Sequence, residues 1–565
     1  MRGRHVFMES LIAHGADAIF GNPGTTENPI LDSLAEFPCV TYYTALHEAV
    51  AVCAAGFYAQ ASGKTAVASV HVAPGLGNAI GVMYGALKAC SPMIVTAGQQ
   101  DTRMRLRDPI LRHDLVAMAA PVSKWAVEVQ NADEIAPVMR RAFKIANDWP
   151  RGPVFVSLPN NVMEQETDVL AGNSGEIYRV PSPYPSAIQQ ISQLILASEK
   201  PAFIAGDDIA VQGGNEVFAE LVELCGASVF VEFLRARQSL DAGHTNYRGR
   251  LPYNVEKIRA TLAGHDLIIM VGGQFVEEVW FDKGTPFPEG ARIIQVESSE
   301  ERLAYNFKVD VGVVGHIPQT LRAITHSVGD QAAVGYFNLA ATRNEELRER
   351  KLNVAERYDK DLKAKAAQTP MTPGVALSHL ASTLPADVII VDEAITAAPA
   401  LEMAFLPDAA EKYFAGRGGG IGQGIAGALG IAAAHPERLV VAVSGDGSAM
   451  YSIQALWTAA HHNLNVIFAI LSNREYRVLK HNMDIHRDRF SETPEQPYPR
   501  MDLSNPNLDF VSMALGMGVS GQRASTLSEI QNAVTAATAE NGPYVIEIEI
   551  SGKGEGDERP EITGR

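Results

Sequence analysis

The sequence predicts an α/β protein of three domains, each a parallel sheet flanked by helices. Three observations predict it. Short β-branched runs ending near Gly, Pro or Asp alternate with longer helical stretches along nearly the whole chain, the pattern of buried parallel strands joined by crossover helices. The length of 565 residues leaves room for three or four cores at roughly 150 residues each. The first and last thirds also echo one another. Ala132 to Trp149 reads as a helix leading through Gly152-Pro153 into an apolar run; Thr526 to Ala539 does the same through Gly542-Pro543.

In chain order, the first domain offers the strands Thr65 to Val72, Met93 to Ala97 and Val154 to Leu158. Its stretch Val50 to Ala61 is apolar on all sides and reads as a buried helix. The second domain offers Leu267 to Val271 and Ile293 to Val296; the third offers Val388 to Val391, Leu439 to Val443 and Val466 to Leu471. Between them, Tyr178 to Ser186 is rich in Pro and Ser and reads as a linker. Asn344 to Thr369 is helical, highly charged and poor in large apolar residues, as a surface connector would be. Cuts near 180 and 345 give domains of 1–180, 181–345 and 346–550, with 551–565 a Gly- and charge-rich tail.

Composition narrows the function. Lys plus Arg is 47 against Asp plus Glu at 65, a formal charge of −18. That field argues against nucleic-acid and anionic-membrane partners, although backbone amides and a metal can still hold a phosphate-bearing small molecule. The four cysteines, Cys39, Cys53, Cys90 and Cys225, form no CxxC pair, so neither a disulfide framework nor a zinc site is expected. Met1 to His5 runs into an amphipathic stretch without a signal-peptide core. No run approaches the ~18 apolar residues of a membrane span. A cytoplasmic protein is expected.

The strongest chemical signal lies in the last third. The strand Leu439 to Val443 ends in Ser444-Gly445-Asp446-Gly447-Ser448, and the next strand ends in Ser472-Asn473. One crossover separates Asp446 from Asn473, which places both at C-terminal strand ends of one sheet, where α/β proteins bind ligands. Their oxygens suit Mg²⁺, and the glycines let backbone amides approach a diphosphate. An ordinary tight turn is the alternative for Gly-Asp-Gly alone.

This pattern resembles the diphosphate-binding motif of thiamine-diphosphate-dependent enzymes, which also need a glutamate against the cofactor's aminopyrimidine. Ala45-Leu46-His47-Glu48-Ala49, before the apolar helix, supplies a candidate; a helix N-terminal Glu favoured by the dipole is the other reading. Across nearly the whole chain the likeness sharpens to the benzoylformate decarboxylase family, within the 2-oxo-acid decarboxylase and acetolactate synthase superfamily. It is carried by Gly21-Asn22-Pro23-Gly24-Thr25-Thr26-Glu27, Val70-His71 through Ala79, Thr96 to Gln100, Gly418 to Gly422, and Gly445 to Ser448 with the run to Ala460.

The resemblance implies three domains that bind, in order, aminopyrimidine, no assigned group, and diphosphate with metal. It implies a catalytic set of Glu48, His71 and Thr25: Glu48 on the aminopyrimidine, His71 as proton carrier and Thr25 as a hydroxyl for the substrate carboxylate. Pro23, Thr396, Gly419, Gly445, Gly447, Ser448 and Tyr476 would line the cofactor, and Ile421 would prop its bent shape. Asp446, Asn473 and the carbonyl of Glu475 would hold Mg²⁺ or Ca²⁺. A 2-oxo acid or acyl substrate and a homodimer or dimer of dimers complete the implication. The bland reading of His71 is a buried histidine satisfied by backbone.

Departures concern substrate more than cofactor. Val279 falls where the family has a second histidine, and His481 and Asn482 replace aromatic positions. His113, His481 and His461-His462 are alternative proton carriers by number only. The reaction expected is decarboxylation of a 2-oxo acid to an aldehyde. An acetolactate-synthase-like carboligase or 2-hydroxyacyl lyase is the alternative, and a non-catalytic binding relative a further one. Arg103, Arg105 and Arg107 read as a solvated loop, or as an anion site for a substrate such as a coenzyme A thioester. No GxGxxG opens a helix in the middle domain, so no dinucleotide is indicated there.

Overall fold

The computed structural model describes residues 1–175, 177, 181–490 and 496–552; residues 178–180 of the expected linker and 553–565 of the expected tail lie outside them. The chain forms three six-stranded sheets, each wholly parallel. The first contains β1 (Ala18–Gly21), β2 (Thr41–Thr44), β3 (Ala66–Val70), β4 (Met93–Gln99), β5 (Trp125–Glu128) and β6 (Pro153–Pro159) in the order β2-β1-β3-β4-β6-β5. The second contains β7 (Pro201–Ala205), β8 (Ser228–Val231), β9 (Tyr247–Arg250), β10 (Leu267–Val271), β11 (Arg292–Glu297) and β12 (Val311–Val314), ordered β12-β11-β10-β7-β8-β9. The third contains β13 (Ile389–Glu393), β14 (Tyr413–Ala415), β15 (Val440–Gly445), β16 (Val466–Ser472), β17 (Ser520–Ala524) and β18 (Tyr544–Glu549), ordered β14-β13-β15-β16-β18-β17.

The first and third sheets therefore share one topology, as the sequence echo suggests. In both, the second strand lies on one side of the first and the third strand on the other. That reversal opens a crevice at the carboxyl ends of the two central strands, the usual ligand position of an open α/β sheet. The middle sheet places its crevice between β7 and β10 by the same rule.

The two outer domains share one hydrophobic core, with Phe57 and Phe155 of the first beside Ile425 and Phe468 of the third. Its centre is the crossing of helix Glu48–Ser62 with helix Gln423–Ala434. Both are rich in Ala and Gly, so their backbones approach closely. A Cβ on Gly427 would reach within 2.7 Å of the Phe57 ring, and one on Gly430 would collide with the Ala54 carbonyl. The middle domain keeps its own core around Phe203, Phe218 and Val271. The charged connector is a single helix, Val334–Lys365. It starts ten positions before Asn344 because Tyr336, Ala340, Arg343 and Leu347 give its first turns a buried face.

Candidate active site

The first crevice gathers two buried carboxylates. Glu48 opens helix Glu48–Ser62 just after β2 and is 5% exposed. Asn22 Nδ2 donates to its Oε1 at 3.0 Å and Asn78 Nδ2 to its Oε2 at 2.9 Å. Gly75 lets the carboxylate approach the next helix, since a Cβ there would stand 2.7 Å from Oε1. Among the described residues Glu48 forms no ion pair. It is an acid held in place by amides, able to meet a ring nitrogen.

The second carboxylate is Glu27, 1% exposed. Its Oε1 accepts from Gly98 N at 2.8 Å and Thr26 Oγ1 at 2.9 Å, while Oε2 lies 2.8 Å from His71 Nδ1. With Nδ1–H assigned as the donor, Nε2 is the ring atom left to exchange a proton. The packing needs glycine twice, because a Cβ on Gly24 would strike the imidazole and one on Gly98 the Glu27 carboxylate. His71 closes β3 and precedes helix Val72–Lys88. Glu27 was missed from sequence because its partner lies 44 positions away; an acid at the end of an otherwise small, glycine-rich loop was the available signal.

The third sheet supplies an oxygen-rich set. Asp446 follows β15, is 3% exposed, and accepts from Gly447 N at 2.8 Å and Arg474 N at 2.6 Å. Burial raises its pKa, with backbone hydrogen bonds opposing. Among the described residues it forms no ion pair, so a cation would supply its missing countercharge. Asn473 Oδ1 accepts from Glu475 N at 3.0 Å, and the Glu475 carbonyl accepts from Arg477 N at 3.0 Å. The Glu475 carboxylate turns instead to Lys480. One carboxylate with amide and carbonyl oxygens suits Mg²⁺, and no group of three or more His, Cys, Asp or Glu able to hold a metal ion occurs among the described residues.

Room for a diphosphate is present beside this set. A Cβ on Gly445 or Gly419 would meet nothing within 4 Å, whereas one on Gly447 would press on the Tyr476 ring at 2.5 Å. Ser448 is buried in the turn after Asp446, and Ile421 and Thr396 are half-buried. The residues thus fit thiamine diphosphate and its metal by donor type, by the unpaired buried acid and by space. Pro23 and Thr25 are exposed at the mouth of the first crevice.

Backbone strain marks the same places. Val72 (φ +43), Ile395 (φ +53) and Arg474 (φ +60) occupy left-handed backbone next to His71, Thr396 and Asn473. For β-branched Val and Ile this costs of the order of 1–3 kcal/mol, a cost that tends to persist at functional sites.

Other candidates fall elsewhere. His462 Nε2 accepts from Thr44 N at 2.8 Å, so it joins the outer domains. His113 is exposed, its Nδ1 taken by Asp114 N at 2.7 Å. Arg103, Arg105 and Arg107 are exposed, and Arg103 pairs with Asp101. Val279 is exposed. His481 meets the Tyr253 ring edge-on at 6.3 Å, and Asn482 Oδ1 accepts from Trp280 Nε1 at 3.4 Å. Among the described residues, no hydrogen bond or ion pair joins Glu48 or Glu27 to the Asp446 set.

Three family models match in succession: the N-terminal TPP binding domain of thiamine pyrophosphate enzymes over residues 1–118, their central domain over 188–324 and their C-terminal TPP binding domain over 398–548. The chain is 29% identical over 543 residues to the benzoylformate decarboxylase of Pseudomonas aeruginosa, covering 96% of this chain and 97% of that one. It is 24% identical to the acetolactate synthase isozyme 2 large subunit of Escherichia coli, covering 97% and 96%. Among solved structures, the Rhodococcus jostii RHA1 thiamine diphosphate-dependent 4-hydroxybenzoylformate decarboxylase superposes with a TM-score of 0.84 at 26% identity, covering 98% and 99%.

Proposed function

We propose that this chain, which belongs to the thiamine pyrophosphate enzyme family, removes carbon dioxide from a 2-oxo acid of the benzoylformate type and releases the aldehyde. The observation that carries the reading is the His71–Glu27 pair beside buried Glu48. When bound, thiamine diphosphate would supply a nucleophilic ring carbon and an electron sink for the loss of carbon dioxide.

The chain's own residues do the rest. Glu48, fixed by Asn22 and Asn78, would hydrogen-bond the aminopyrimidine ring. Asp446, Asn473 and the Glu475 carbonyl would hold Mg²⁺, Gly445, Gly447 and Ser448 would line the diphosphate, and Ile421 would prop the cofactor's bent shape. The exposed Thr25 hydroxyl receives the substrate carboxylate. Glu27 fixes the imidazole so that His71 Nε2 delivers the proton that replaces the lost carboxylate on the product carbon.

Exposed apolar residues flank both halves of the site: Leu46 beside Glu48, and Met450 and Tyr451 beside the Asp446 turn. A second copy covering both patches, with Glu48 of one chain facing Asp446 of the other as the family resemblance implies, gives a homodimer or a dimer of dimers.

The second reading is an acetolactate-synthase-like carboligase. Val279 favours it, since this exposed side chain carries no proton where the resembling enzymes have a histidine. A panel of aromatic, branched and small 2-oxo acids, scored for CO₂ and aldehyde together, separates the two. Equal CO₂ and aldehyde supports the decarboxylase; CO₂ with a 2-hydroxy ketone or acetohydroxy acid in place of aldehyde supports the carboligase. No CO₂ from any of them, with cofactor present, overturns both.

A further inference from the structure

The loop Gly418–Gly422 holds three residues in left-handed backbone, Gly418 (φ +80), Gly419 (φ +73) and Gly422 (φ +88). Glycine loses more conformational freedom on ordering than any other residue, so such a loop keeps one shape only if its ends are held. Gln423 holds one end: its Nε2 donates to the Arg417 carbonyl at 3.0 Å and the Gly420 carbonyl at 2.7 Å. Its backbone N donates to the buried Glu393 carboxylate at 2.8 Å.

Arg417 holds the other end. Its side chain is 3% exposed, and the guanidinium donates to Asp207 Oδ2 at 2.8 Å and to Glu277 Oε2. Both carboxylates belong to the middle domain. Asp207 follows β7 and is fixed by Ala236 N and Arg237 N, each at 3.0 Å from Oδ1. Glu277 sits on the segment that continues to Val279 and Trp280, which Val276 N ties to Glu232 at 2.8 Å. Glu277 Oε1 also lies 3.8 Å from Lys88 Nζ, at the far end of the helix that His71 precedes. One guanidinium thus joins the glycine loop to two separate segments of the middle domain, one of which reaches the His71 helix.

We propose that Arg417 is a positioning residue through which the middle domain, by Asp207 and Glu277, holds Gly418–Gly422 in the shape that receives the cofactor. The inference rests on the reading that Gly419 and Ile421 face thiamine diphosphate. A planar fork is required because two carboxylates on different segments are engaged at once, which a lysine point charge reproduces poorly.

The test uses the full-length chain without cofactor, as wild type, Arg417→Lys and Glu277→Gln. Glu277 is partly exposed, so its amide variant gives a folded comparison should Arg417→Lys misfold. Each protein is titrated with thiamine diphosphate at fixed Mg²⁺, followed by tryptophan fluorescence, and amide exchange is read over 418–422. The half-saturating cofactor concentration is expected to rise by about tenfold or more in Arg417→Lys, and less in Glu277→Gln, as for the loss of one charged hydrogen bond. Loop amides should exchange faster in both while β13 and β15 keep their protection. Unchanged half-saturation and loop exchange overturn the inference, as does faster exchange spread equally over the whole third sheet. If wild type itself fails to bind thiamine diphosphate, the cofactor reading falls, and loop exchange alone then decides the clamp.

Discussion

His71 and Glu27 form the pair on which proton delivery turns. The imidazole has one nitrogen committed to a buried carboxylate, so its other nitrogen has a fixed direction. His71→Ala should lower kcat by about 10²–10⁴-fold, the range for losing a general acid or base. Glu27→Gln should lower it in the same direction but less, since the amide oxygen can still accept from Gly98 N. Half-saturation by thiamine diphosphate should stay within about twofold in both, because the residues proposed to hold the metal and diphosphate belong to another domain. Steady-state rates with cofactor titrations check this; a lost cofactor affinity at unchanged kcat would make the pair structural. The positions Glu48, His71, Asp446 and Asn473 were legible in the sequence because each stands at a strand end or helix start within a patterned motif. Asn22, Asn78 and Glu27 were not, because only the folded chain brings them to partners 26 to 44 positions away.

At the scale of elements, strands were legible where they are central and apolar. The expected runs stop at the last apolar residue, whereas β4, β13, β15 and β16 continue to Gln99, Glu393, Gly445 and Ser472. A backbone ladder needs no apolar side chain, so these strands run on through residues that carry no apolar pattern. Edge strands such as β2, β5 and β17 carry few buried residues and leave little periodic trace. One joint between elements depends on pH. His462 accepts the Thr44 amide at the end of β2, and burial, then His461, lower its pKa from the ordinary 6.5. The contribution is whole above pH 6.5. As pH falls below that, the unfolded chain takes up the proton first, and stability is lost down through the folded pKa. His462→Gln, whose amide oxygen can still accept from Thr44, should flatten this fall. Urea midpoints from about pH 7.5 to about pH 5 check it; parallel curves for the two proteins would contradict it.

At the scale of the whole molecule, a buried charged network fixes the middle domain to the third sheet. Glu402 accepts from Arg235 Nη2 and Arg250 Nε at 2.8 Å and from Tyr247 OH at 2.6 Å. Arg250 Nη2 continues to Asp392 and Tyr413, each at 2.8 Å. The two arginines outweigh burial and hold the Glu402 carboxyl below its ordinary range. Glu402→Ala leaves both guanidinium groups buried beside a lost partner and should cost about 3–5 kcal/mol, read as a lower urea midpoint. A loss within about 0.5 kcal/mol, the level of ordinary surface changes, would contradict it. The network was invisible in the sequence, since Arg235, Arg250 and Glu402 are scattered along the chain and belong to no motif. The three-sheet plan was visible, because alternation of strand and helix patterns does not depend on which partners meet.

In the proposed site, Glu48 and the Asp446 set act on one cofactor from two different chains. Glu48→Gln and Asp446→Ala homomers should each be inactive with thiamine diphosphate, Mg²⁺ and a 2-oxo acid that wild type decarboxylates. Purified heterodimers of the two variants contain one site with both wild-type residues, and should recover about half the wild-type CO₂ release. Heterodimers as inactive as their parents would place Glu48 and Asp446 of a single chain in the same site and overturn the two-chain arrangement.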